Sequence, residues 1–160
     1  MWKELIRSLD DLSDAYESLL AIEGKKRAVL VAVDLKGLEA LVGEEEKQLE
    51  RIRAAEKRRR DALLALSKEF PVAPAHTTMK EVEAVCPNEF RGELHTLHVR
   101  VGKRASEAKE AGGMNEFLIR QALGAVEYHL NRLSNSSIDP TYGQKGQESV
   151  TREKKFDIQA

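Results

Sequence analysis

Cysteine is almost absent: the single Cys86 excludes an intramolecular disulfide framework and a cysteine-based zinc site. Aromatic residues make up only 5% of the chain and there are four prolines. A β-sandwich or a doubly wound sheet needs more aromatic and β-branched residues and far more turn punctuation. No apolar run approaches the roughly 20 residues that span a bilayer. The opening Met1-Trp2-Lys3-Glu4 shows no signal-peptide apolar core. Charge of one sign is also missing. A formal net charge of -1 gives no basic field to gather nucleic acid or anionic lipid. The expectation is a reduced, soluble, intracellular protein without membrane insertion or nucleic-acid binding.

What remains is helix-forming material. Ala, Glu, Lys, Leu and Arg together account for a little over half of the 160 residues, the bias of long helices and coiled coils. Trp2, Leu5, Leu9, Leu12, Tyr16 and Leu19 recur at alternating steps of three and four, the seam of a helix that packs on another helix. The run from Ala28 to Val33 has no partner strand in the sequence and reads as the end of that helix. Asp34 is a good N-cap for a second helix, whose stripe is Leu35, Leu38, Val42, Glu45, Leu49, Ile52, Glu56, Arg59, Leu63, Leu66 and Phe70. Three charged positions on that seam are unusual for a purely structural coiled coil and are expected to limit self-association.

Charge sets the pairing of these two helices. If they fold back around Val33 to Leu35, residue i faces roughly residue 69 - i. Lys25, Lys26 and Arg27 then lie beside Glu44-Glu45-Glu46, and Asp10, Asp11 and Asp14 lie beside Lys57-Arg58-Arg59-Arg60. Acid meets base at both ends.

Pro71 and Pro74 break the second helix, and Thr78-Met79-Lys80-Glu81 spells a capping box for a short third. Pro87 restarts the chain, with Phe90, Leu94, Leu97, Val101 and Ala108 on one face. Gly112-Gly113 is a weak point where a kink is expected. Beyond it Leu118, Ala122, Val126, Leu130 and Leu133 form a stripe, with Ile119 and Leu123 beside it. The spacing predicts helices over about 2–33, 35–70, 78–85 and 87–135. Residues 136–160 have no apolar period and read as a flexible tail. The fold class is therefore all-α: an elongated antiparallel helical hairpin or coiled coil with one or two further helices and a disordered C-terminal tail.

No catalytic constellation is present, so an enzyme is not expected, nor a cofactor. His95 and His98 share a helical face without companion carboxylates to make a metal site. Cys86 sits at a helix start, but no base is placed to activate it. The basic run Lys57 to Arg60 stands among acidic neighbours, as a paired or solvated face does. The remaining signal is the amphipathic stripe from Leu118 to Leu133 followed by the tail. It suits recognition of another helix, and it equally suits completion of an intramolecular bundle.

The C-terminal third carries a more specific likeness. Asn115 stands ahead of Leu118-Ile119, the helix reaches Leu130-Asn131-Arg132-Leu133, Tyr142-Gly143-Gln144-Lys145-Gly146 follows, and the chain ends in Phe156-Asp157-Ile158-Gln159-Ala160. Together with Tyr16-Glu17-Ser18-Leu19-Leu20 and the turn at Asp34-Leu35-Lys36-Gly37-Leu38, this resembles the FlgN family of flagellar export chaperones. Gly112 stands where that family often has Asn, and Gln144 where many members have Pro. The resemblance implies a cytoplasmic, non-enzymatic chaperone of type III flagellar export. Such proteins bind the C-terminal segments of hook-associated (hook–filament junction) proteins, prevent their premature assembly, and dock on the cytoplasmic domain of the export gate. It implies Leu118, Ala122, Leu123, Val126, Leu130 and Leu133 as client-binding residues and Tyr142 as the gate-docking residue. The competing reading is a structural coiled-coil adaptor or dimerisation module with no export client.

Overall fold

A computed structural model describes residues 1–70 and 78–136 of the chain. Four helices follow one another: α1 (Trp2–Val31), α2 (Leu35–Leu66), α3 (Met79–Val85) and α4 (Asn88–Ser136), with no strand among the described residues. The expected tail and Tyr142 lie outside the described residues. No described helix is long and apolar enough to cross a membrane. The chain divides into two units, Met1–Glu116 and Phe117–Ala160, and α4 contributes residues to both.

In the first unit α1 and α2 form an antiparallel hairpin, and the charges pair as the mirrored sequence expects. Arg58 donates to Asp11 at 2.6 Å, and Lys26 donates to Glu45 at 2.8 Å. At the open end Trp2 meets Phe70 edge-on at 5.7 Å. The turn is built from local chemistry. Val33 takes a left-handed φ of 57°, which stops α1. Asp34 then caps α2 by accepting from the Gly37 backbone N–H at 3.0 Å. A Cβ at Gly37 would run into that carboxylate, so any substitution there must shift the Asp34 side chain from this position.

Residues 88–116 of α4 lie along α1 and run parallel to it. Arg104 donates to the Ser13 hydroxyl at 2.6 Å, and Asn115 donates to the Glu23 carboxylate at 2.7 Å. The offset between partners is 91 residues in the first pair and 92 in the second, and a nearly constant difference is the mark of parallel helices. With neighbours on two sides, α1 buries more than a narrow seam. Ile6, Ser8, Ser13, Ala15, Ile22 and Glu23 join Leu5, Leu9, Leu12 and Leu19 in the interior. Helix α3 closes the open end through Val82, which is fully buried with Cys86, Leu94 and Leu66. Its capping box is complete: Thr78 accepts from the Glu81 backbone and Glu81 accepts from the Thr78 backbone.

Four details differ from the sequence reading. Helix α1 ends at Val31 because of the Val33 conformation. Helix α2 ends at Leu66, where Ser67 turns its hydroxyl back on the Leu64 carbonyl and the chain bends before Pro71. The first turns of α2 bury Leu41, while Leu35 and Val42, placed on the seam by spacing, are exposed. A seam defined from the middle of α2 drifts by a residue near the turn, since straight helices do not hold a 3.5-residue period. Finally, α4 runs through Gly112 and Gly113 without interruption.

Candidate functional site

The stripe proposed from the sequence lies wholly on α4. Residues spaced at three and four share one helical face, so the helix brings Leu118, Ala122, Val126, Leu130 and Leu133 into line, with Leu123 beside them. Leu123 is 60%, Val126 52% and Leu133 65% exposed. Ala122 is exposed, and Leu118 and Leu130 are half-buried. Two aromatic residues missing from the sequence reading stand on the same segment: Phe117 is 56% and Tyr128 61% exposed, Tyr128 packing edge-on against His129 at 5.5 Å. They fall outside the three-four step, so periodicity passed over them. Large apolar side chains concentrated on one exposed helical segment make it the candidate interaction surface.

The first unit holds a different feature, a buried polar node where α1, α2 and α4 meet. Lys26, 7% exposed, donates to Glu45 at 2.8 Å and stands 3.5 Å from Glu23. Asn115, 1% exposed, gives both amide hydrogens to Glu23, at 2.8 Å to its backbone oxygen and 2.7 Å to its carboxylate. One buried carboxyl, Glu23, and one half-buried, Glu45, share one ammonium, and they titrate apart. Burial and the hydrogen bond to Glu45 push the Glu23 carboxyl above its usual range. Burial also pushes on Glu45, but hydrogen bonds from Lys26 and from Glu23 outweigh it and hold that carboxyl low. The Asn115 Oδ1 atom is buried without a hydrogen bond among the described residues. Buried polar groups of this kind set helix register more than they add stability.

The other candidates resolve simply. Glu56 and Arg59, the remaining charged seam positions, pair with each other at 2.8 Å beside the half-buried Tyr16 rather than standing open to limit association. His95 contacts Glu83 at 3.1 Å. Among the described residues no group of three or more ligand side chains could hold a metal ion. The Cys86 thiol is buried, and that burial pushes its pKa up, away from reactivity.

No curated protein and no solved structure matches the chain. The family model described as FlgN protein matches residues 1–149, which takes in the hairpin, the polar node, the exposed stripe of α4 and the Tyr142 position. With nearly its whole length matched, this chain belongs to the FlgN family.

Proposed function

We propose that this protein is a cytoplasmic flagellar export chaperone whose clients are the C-terminal helical segments of hook-associated proteins. Family membership supports the chaperone role, and the exposed apolar face of residues 117–133 carries the assignment of the client site. A client segment laid on Leu118, Ala122, Leu123, Val126, Leu130 and Leu133 hides its own apolar stripe and is kept from premature assembly. Burying roughly 600–800 Å² of apolar surface gives ~15–20 kcal/mol gross at about 25 cal/mol per Å². Ordering the client and losing its translational freedom consume most of that. The result is moderate affinity, which suits a chaperone that performs no chemistry, uses no cofactor and must let its client go. Delivery to the cytoplasmic domain of the export gate falls to Tyr142.

Calorimetric titration of the full chain with C-terminal peptides of each hook-associated protein tests this reading. Binding in the micromolar range is expected, and Leu123→Asp with Val126→Asp should abolish it while far-UV helicity stays intact. Collapse of the fold in that variant would return the stripe to a structural role and favour the adaptor reading. Tyr142→Ala should spare client binding and weaken docking on the gate domain; unchanged docking would remove Tyr142 from the site.

A further inference from the structure

Hydrophobic side chains crowd the turn end of the hairpin, where a turn needs only polar residues and glycine. Val31, Val33 and Leu35 are 75%, 77% and 73% exposed, and Val42 is 46% exposed. Leu30 and Leu38 are half-buried. Val33 holds a left-handed backbone that a β-branched residue adopts only under strain. Strain kept at an exposed apolar residue points to a role other than stability.

The patch continues a seat already in use. Residues 88–116 of α4 pass α1 at Tyr16, Leu19 and Glu23. Steps of three and four carry that same face of α1 onward to Arg27, Leu30 and Val31. Leu35, Leu38 and Val42 supply an apolar stripe of the same spacing on the first two turns of α2. Toward the turn this face of the hairpin is therefore apolar, and it is edged by Arg27, exposed and without an ion pair among the described residues.

We infer that this turn end is a second docking element for the client, seating one of its amphipathic helices against Val31, Leu35 and Val42 with a client carboxylate directed to Arg27. The inference rests on the chaperone reading above. The patch consists of four exposed apolar side chains, whereas a stable dimer interface draws roughly 20–30 residues from each partner. The patch is thus too small to hold a second copy of this chain by itself. It is enough for a segment of a client already held elsewhere, because linked contacts multiply their affinities.

The test titrates the full chain with the C-terminal segment of a hook-associated protein in three forms: unmodified, Val31→Ser/Leu35→Ser/Val42→Ser, and Leu123→Asp/Val126→Asp. The triple variant, altered only at exposed positions, should bind roughly ten- to a hundredfold more weakly with its thermal midpoint kept. In the unmodified chain, hydrogen exchange over residues 28–42 should slow when the segment binds, a readout that does not depend on the variant folding. If the unmodified chain binds, Leu123→Asp/Val126→Asp does not, and the triple variant binds as tightly as the unmodified chain with exchange at 28–42 unaltered, the second element is refuted and the chaperone reading stands. Absence of binding by the unmodified chain overturns both. A dimer in sedimentation that the triple variant dissociates assigns the patch to a second copy and overturns the inference.

Discussion

Asn115 gives both hydrogens of its side-chain amide to one residue, Glu23, at 2.8 and 2.7 Å, across 92 positions of sequence. That contact pins α4 along α1 at a single register, and it lies against a buried lysine and a second carboxylate.

Asn115→Ala removes one donor from the buried Glu23 carboxyl and one from its backbone oxygen, leaving the carboxyl with Lys26 at 3.5 Å. The expected loss is about 1–3 kcal/mol of unfolding free energy, read by denaturant titration. Asn115→Asp places a third carboxylate at the node and should cost more than alanine.

Glu23 sets a pH dependence of definite sign. Its folded pKa lies above the ordinary 4.5, so its contribution is fully present below that value and is lost as pH rises through the folded pKa. Glu23→Gln keeps an acceptor for Asn115 and removes the titration. Relative to the unmodified protein, the variant should grow more stable as pH rises from about 4 to 7. Glu45, held low, works oppositely, losing its contribution as pH falls through its folded pKa. Thermal midpoints of both forms across that range check the sign; a flat difference would remove Glu23 from the pH response.

Asp11 and Arg58 are each about half exposed (53% and 54%), so their pair should contribute only ~0.2–1 kcal/mol. Reversing either charge should lower stability slightly, and reversing both should recover most of the loss. A double-mutant cycle measures the coupling, which should shrink in high salt.

Val33→Gly frees the left-handed turn of its β-branched side chain. The variant should gain roughly 0.5–1 kcal/mol, seen as a raised thermal midpoint. If the turn end docks a client helix, the same variant should bind its client more weakly, so that stability and affinity move apart.

The hairpin was legible because opposite charges stand at mirrored positions: the 69 - i relation puts Asp11 on Arg58, as found, and places the partner of Lys26 within two residues of Glu45. The parallel course of α4 was not. Apart from Ala108, which the spacing found, its residues facing α1 there are Arg104, Ala105, Gly112 and Asn115, set against Ser13, Leu19 and Glu23, and small or polar side chains leave no mark in an apolar count. The burial of Ser8 and Ser13 was hidden for the same reason. The α4 stripe was legible as a face, since a three-four step fixes which residues align. Whether such a face is covered is a tertiary fact that a period cannot carry.

Parallel packing of the first and last helices also has a consequence in time. The asparagine that locks the N-terminal helix emerges from the ribosome 92 residues after the glutamate it binds. At about 5–20 residues per second, the interval is roughly 5–20 s. During that interval the face of α1 that later meets Asn115 has no α4 to pack against, so the lock is a late event relative to the hairpin.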